Sequence, residues 1–328
     1  MVRDLSKDND LILEVRNLTK QFKVAKNNIL TACDNINLSM YKGKTLGIVG
    51  ESGCGKSTFL RMLMNLEKIT SGKIFYKGRD ISEFSKDEIW ESRQNIQMVY
   101  QDPGASFNPR MKVVDILTEP LINYDRLKKE DKEKKAIELL EMVDLPADFI
   151  HKYPQNMSGG QKQRIGIARA LSLEPEVLVC DEATSALDVS IQKNIIELLV
   201  KLQKERDLCI VFICHDIALV QAFAHEIAVM YLGNVLEVLP GEKLKDSACH
   251  PYTKALLSSL FSINMDFSEK ISNIEGDVPS PINLPSGCVF QGRCKFVKEK
   301  CRREKPSLEK FDTKHEVACH FAKEINGL

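Results

Sequence analysis

The stretch Gly50-Glu51-Ser52-Gly53-Cys54-Gly55-Lys56-Ser57-Thr58 has the residue types and spacing to hold a phosphate chain. A glycine, four residues and then Gly-Lys-Ser is the phosphate-loop pattern, which requires a strand before it and a helix after it. The apolar run Leu46-Gly47-Ile48-Val49 supplies the strand, and Thr58-Phe59-Leu60-Arg61-Met62-Leu63-Met64 reads as the helix. The glycines let backbone N–H groups turn toward an anion, and the helix N-terminus adds roughly half a positive charge. Lys56 would reach the β- and γ-phosphates, and Ser57 would give its hydroxyl to magnesium.

Further polar residues stand where α/β sheets place their ligand crevice, at the carboxyl ends of apolar strands. Val177-Leu178-Val179-Cys180-Asp181-Glu182 ends in two carboxylates, costly to bury unless a metal or hydrogen bonds compensate. Asp181 suits a magnesium ligand through water, and Glu182, on the other side of the chain, suits polarising an attacking water. Ile96-Gln97-Met98-Val99-Tyr100 leads to Gln101, placed to touch magnesium or that water. Cys209-Ile210-Val211-Phe212-Ile213-Cys214 leads to His215, placed to hydrogen-bond a γ-phosphate. Ser158 is a good N-cap before Gly159, Gly160 and Gln161, which makes a second anion-binding helix start. It has no phosphate-loop lysine beside it, so it reads either as a capped helix and nothing more or as a site for the γ-phosphate of a nucleotide held on a second subunit. Phe22, taken alone, reads as a half-buried strand residue, although an aromatic upstream of a phosphate loop can stack on a purine.

The elements that carry these residues alternate strand and helix, which predicts an α/β fold. Leu11 to Val15 and Ile36 to Met40 read as short strands with a Lys/Asn-rich loop between them. Ser71-Gly72 reads as a turn before a hairpin strand, Lys73 to Gly78. From Pro103 to about Gln155 the pattern is helical, which predicts a helical subdomain inserted in the sheet order. Nine of the ten residues from Arg126 to Lys135 are charged and read as a solvated helix face. Ser185-Ala186-Leu187-Asp188 precedes a helix from Val189 to about Lys204. Ala228 to Tyr231 and Val235 to Val238 form a closing hairpin around Leu232-Gly233-Asn234.

The chain has 328 residues and 37.1 kDa, enough for one large domain and an appendage. Its 46 basic residues match its 46 acidic ones, so neutralising a nucleic-acid backbone is not its main work. No run of about 18 apolar residues exists, so no segment is expected to cross a bilayer unaided. Met1 to Asp10 is polar and does not read as a secretory signal. The ten cysteines are therefore expected to be reduced thiols or metal ligands in a cytosolic compartment. Gly276, Pro279, Pro281, Pro285 and Gly287 mark a rigid linker. Beyond it lie Cys288, Cys294, Cys301 and Cys319, with five, six and seventeen residues between them. The intervals do not name a metal, and His315 and His320 could each replace a thiol as ligand.

In order along the chain, Gly50 to Thr58, Gln101, Ser158 to Gln161, Asp181-Glu182, Ser185 to Asp188 and His215 resemble the ATP-binding-cassette ATPases. The resemblance implies a phosphate-loop cassette with an antiparallel β subdomain and a helical subdomain at about 103–170, within a domain spanning 1–260. It implies two ATP molecules sandwiched head to tail between two such domains, with Ser158, Gly159 and Gly160 facing the partner's γ-phosphate. By the same resemblance Gln161 and Asp188 join the nucleotide-binding residues, and Phe22 becomes the adenine-stacking aromatic. Glu182 becomes the general base, His215 the γ-phosphate sensor and Gln101 the link to a membrane partner. Ser57, Gln101 and Asp181 become the Mg2+ ligands.

Gln101-Asp102-Pro103-Gly104-Ala105-Ser106-Phe107-Asn108-Pro109-Arg110, Ser185 to Gln192 and His250-Pro251-Tyr252-Thr253 resemble the oligopeptide/dipeptide importer branch. Those importers pair two different ATPase subunits, and Asn108-Pro109-Arg110 with Cys180-Asp181-Glu182 is more similar to the second. The resemblance implies a homologous partner ATPase, two membrane-spanning permease subunits, and an extracytoplasmic solute-binding protein met only indirectly. The chain would be peripheral, at the cytoplasmic face of the membrane, without nucleic acid. Residues 261–328 resemble the branch's C-terminal extension, which in that family carries a 4Fe-4S cluster held by four cysteines. Lys295 stands where the family has a proline, in a loop and not at a ligand. Nickel or another small solute as cargo, and a soluble cassette ATPase acting on DNA or the ribosome, are the alternatives.

Overall fold

A computed structural model describes residues 10–24, 28–185, 187–258 and 279–328. Among the described residues, twelve strands run in chain order: β1 Leu11–Val24, β2 Asn28–Tyr41, β3 Thr45–Val49, β4 Ser71–Tyr76, β5 Arg79–Asp80, β6 Ile96–Val99, β7 Val177–Asp181, β8 Cys209–Cys214, β9 Glu226–Tyr231, β10 Asn234–Pro240, β11 Glu309–Asp312 and β12 His315–Val317. The chain divides into two compact units, one of residues 1–12, 41–44 and 83–212, the other of 13–40, 45–82 and 213–328.

In the first unit the strand order is β8-β7-β6, with β6 and β7 parallel and Val99 opposite Cys180. Val177, Leu178, Val179 and Cys180 are fully buried, as a central strand covered on both faces requires. The helices Val113–Asn123, Lys132–Met142 and Gly159–Leu171 belong to this unit, and their apolar stripes bury Ile116, Leu117, Leu139, Leu140 and Ile165. Each such side chain contributes about 1.5–3 kcal/mol by leaving water. The charged run does not form one helix face. Arg126 to Lys128 is irregular, Lys129–Asp131 is a 3-10 turn, and only from Lys132 does the helix begin.

In the second unit the order is β11-β12-β10-β9-β3, with β3 parallel to β9 and β9–β10 an antiparallel hairpin. Leu232 and Gly233 both have positive φ, 43° and 75°, the backbone a two-residue hairpin turn needs. A separate sheet, β2-β1-β4-β5, supplies the antiparallel layer. Its first two strands are longer than the sequence pattern suggests, and Phe22 is a half-buried residue of β1. Ser71 and Gly72 lie in β4, and the turn comes later, at Lys77-Gly78. The described part of the proline-rich segment is pinned along β2. Thr31 N–H donates to Pro281 O at 3.1 Å and Asn283 N–H to Ile29 O at 3.0 Å. Gly276 and the expected domain boundary at 260–261 lie outside the described residues.

Glu226, at the start of β9, is pushed up to about 7 from 4.5 by burial first and by Glu316 second, with Lys314 opposing. A raised carboxyl pKa stabilises the fold fully below 4.5 and loses that contribution as pH rises through about 7. Glu226→Gln therefore raises the melting temperature at pH 8 more than at pH 5, which a thermal scan at the two pH values checks.

Candidate functional site

In the second unit β3 is buried along its whole length and delivers the chain into the phosphate loop. Gly55 has φ 105°, and a Cβ there would lie 2.0 Å from Ala32 O. At Gly50 the same atom would meet Met230 O at 2.1 Å. Glycine is the residue that fits both places. Helix Lys56–Leu63 comes next, without a side-chain cap, and buries Phe59, Leu60, Met62 and Leu63. Lys56 is 5% exposed, and its ammonium donates to Gly50 O at 2.7 Å and Glu51 O at 3.0 Å. Ser52, Gly53 and Ser57 are exposed, and Thr58 is half-buried. The Cys54 thiol lies 3.7 Å from Lys56 Nζ, and burial pushes its pKa up despite that ammonium.

Glu51 is the anchored residue of the loop. Its N–H donates to Tyr252 Oη at 3.1 Å, and its carboxylate receives Arg293 Nη1 at 2.8 and 3.2 Å. His215 is exposed after β8, while the next residue, Asp216, caps helix Ile217–Gln221 by accepting from Ala218 and Leu219 N–H. Phe22 is half-buried, and Lys20 Nζ sits 4.5 Å from its ring centroid.

In the first unit, the β6–β7 register places Gln101 and Glu182 each two residues beyond a paired position, at the same strand ends. Gln101 Nε2 accordingly donates to Glu182 Oε2 at 3.1 Å and to Ser185 Oγ at 3.2 Å. Glu182 has φ 46°, the left-handed region that side chains other than Asn and Asp seldom adopt. Ser185 closes that turn, both its N–H and its hydroxyl donating to Glu182 O at 3.0 Å. Asp188 is exposed at the N-cap of helix Val189–Arg206 and makes no side-chain capping bond. Ser158 caps its helix as the sequence predicts, and Gln161 reaches back to Ser158 N–H at 3.0 Å in a capping box. Gly159 is exposed. Gly160 is buried, and a Cβ there would meet Ile191 Cγ2 at 2.7 Å, so its small size serves packing.

Cys288, Cys294, Cys301 and Cys319 wall one cavity of about 20 Å³ together with Phe290, Phe296, Phe321 and His320. Cys288 N–H donates to Cys301 O at 2.8 Å, which fastens two of the cysteine segments together. Burial pushes the Cys288 thiol up to about 12 and raises Cys294 and Cys319 as well. Among the described residues the one His/Cys/Asp/Glu group that converges within 4.8 Å is Glu237, Cys249 and His315, and the four cysteines do not. His315 is thus committed elsewhere. Its Nε2 lies 2.7 Å from Glu237 Oε1, and Glu237 also accepts Cys249 N–H at 2.6 Å and His250 N–H at 3.1 Å. His320 Nε2 lies 2.9 Å from Glu304 O. Burial pushes His250 down to about 4, and its Nδ1 accepts Tyr252 N–H at 3.0 Å.

Glu237, Tyr252 and Arg293 escape a reading of the sequence as site residues. The signal for Glu237 is a lone acid inside Val235-Leu236-Glu237-Val238. Tyr252 stands out only as part of a family signature, and nothing local marks Arg293.

Two family models match the chain: ABC transporter over residues 33–185, and the oligopeptide/dipeptide transporter C-terminal region over 236–301. The oligopeptide transport ATP-binding protein OppF of Salmonella typhimurium is 43% identical over 320 residues, covering 94% of this chain and 96% of that protein. The oligopeptide transport ATP-binding protein AppF of Bacillus subtilis is 44% identical, covering 96% and 98%. The di/tripeptide transport ATP-binding protein DppF of Pseudomonas aeruginosa is 41% identical, covering 97% and 100%. Among solved structures, the ATP-binding cassette MJ0796, in a dimeric post-hydrolysis state bound to ADP and Pi, is 31% identical with a TM-score of 0.63, covering 70% of this chain and 98% of that one. With near-complete coverage at such identity, the chain belongs to the ATP-binding proteins of the oligopeptide/dipeptide ABC transporters.

Proposed function

We propose that this chain hydrolyses ATP to power import of oligopeptides or dipeptides, as the energising subunit of a membrane transporter. The observation that carries the reading is the phosphate loop with its buried Lys56, in a chain that matches peptide-transport ATP-binding proteins along nearly its whole length. Lys56 leaves the Gly50 and Glu51 carbonyls for the β- and γ-phosphates, a charge-assisted exchange. Phe22 stacks on adenine, and the loop from Gly50 to Thr58 wraps the phosphates. Mg2+, when bound, neutralises charge developing on the phosphoryl oxygens. Ser57, Gln101 and Asp181 offer it the oxygen donors such a hard cation takes. Glu182, steadied by Gln101, orients the attacking water, and His215 contacts the γ-phosphate. Ser158, Gly159, Gly160, Gln161 and Asp188 complete the site of a second subunit.

That subunit is a homologous ATPase, this chain being the second of an unlike pair, and both sit on two permease subunits at the cytoplasmic face of the membrane. No helix among the described residues is long and apolar enough to cross a membrane. Residues 1–260 form the cassette, with its helical subdomain at about 103–170, and 261–328 the cysteine-bearing extension. Four thiols walling one cavity supply the all-thiolate ligand set that a 4Fe-4S cluster takes. The cluster, when bound, would staple a segment too small for a core of its own.

Glu182→Gln in the assembled transporter is expected to lower ATP turnover by about 10²–10⁴-fold while ATP stays bound. Hydrolysis near the unaltered rate, with the partner's site disabled, would remove Glu182 as the base. Anaerobically purified chain is expected to show iron, acid-labile sulfide and a broad visible absorption that Cys301→Ser abolishes. A colourless protein holding stoichiometric zinc would contradict the cluster.

A further inference from the structure

We propose that the turn from Cys288 to Cys294 is a strut on the phosphate loop, with Arg293 and Tyr252 as positioning residues that set nucleotide affinity through Glu51. The proposal rests on the nucleotide-site reading above. Two contacts from outside the loop converge on Glu51: the Arg293 guanidinium on its carboxylate and the Tyr252 hydroxyl on its N–H. Glu51 in turn accepts from Lys56 Nζ through its carbonyl. A path of direct contacts therefore joins the turn to the lysine that grips phosphate.

The turn is shaped for this work. Cys288 and Cys294 at its ends wall the thiol-lined cavity together with Phe290, and Arg293 is the side chain of the turn that reaches Glu51 in the loop. Phe290 meets Tyr231 edge-on at 5.4 Å and packs on Tyr252 at 5.4 Å, while the two tyrosines pack at 4.7 Å. The aromatic stack fixes the height of Arg293 above the loop. The Arg293 side chain is 7% exposed, and its Nε is buried without a hydrogen-bond partner. Besides Glu51, its Nη1 donates to Tyr231 Oη at 3.4 Å, and the ion pair with Glu51 compensates the buried charge. A contact that merely fastened the extension to the cassette could end on any surface carboxylate. This one ends inside the loop, and coupling of that kind is reciprocal: what fastens the turn tightens nucleotide, and nucleotide fastens the turn.

Equilibrium binding of ATP with Mg2+ to the full chain tests this in a double-mutant cycle. Arg293→Gln is expected to weaken binding about tenfold, within the usual range for coupled sites. Arg293→Lys should recover part of the loss, and Arg293→Gln should cost little more once Glu51→Gln is present. Additive losses, or unchanged affinity in Arg293→Gln, overturn the proposal. Should Arg293→Gln fail to fold, Tyr252→Phe decides, because it keeps the ring stack and loses only the oxygen that holds Glu51. About threefold weaker binding supports the strut and unchanged affinity overturns it. If the unaltered chain binds no ATP, the nucleotide-site reading fails and this inference fails with it.

Discussion

Backbone touching backbone around the phosphate loop is the constraint on which the site depends. At Gly55 and Gly50 the chain passes so close to the Ala32 and Met230 carbonyls that no Cβ could be placed. Gly233 N–H donates to Cys54 O at 2.8 Å, and Asp34 N–H donates to Gly233 O at 2.8 Å. Strand β2 and the β9–β10 turn thus hold the loop from both sides, and the antiparallel layer and closing hairpin are its mould. A loop backbone fixed in this way holds its N–H groups in place for an anion, which is the condition for electrostatic preorganisation.

Buried charge is likewise held by close, specific partners. Lys56 is nearly inaccessible yet satisfied by two loop carbonyls. Glu237 is fully buried, and its carboxylate ties β10 to the Cys249-His250 segment and to His315 on β12. Unpaired, such a carboxylate would cost several kcal/mol, and these contacts compensate it. The cysteine-bearing segment thereby continues the sheet of the phosphate-loop unit through the β10–β12 pair.

Much of this was legible in the residues themselves. Strand β8 and the β9–β10 hairpin arise from apolar runs and turn residues, and the two glycines and Gln161 after Ser158 mark that serine as a cap. The register of β6 against β7 joins Gln101 to Glu182 at the strand ends where the apolar runs stop. The hidden features depended on distant partners. The length of β1 and β2 is set by cross-strand pairing that a polar sequence conceals, and Ser71-Gly72 is a strand because β1 lies beside it. Arg293 lies 242 positions from Glu51, and no local pattern encodes a contact at that separation. The charged run from Arg126 to Lys135 misleads because composition marks solvent exposure without fixing the backbone.

The cradle around Lys56 is the place that receives a triphosphate. Equilibrium titration of the full chain and of Lys56→Ala with ATP and Mg2+ measures this directly. Loss of a charge-assisted hydrogen bond predicts affinity lower by about tenfold to a hundredfold in the variant, with folding checked by thermal melt. Equal affinity in the two proteins would contradict the assignment of this loop as the nucleotide site.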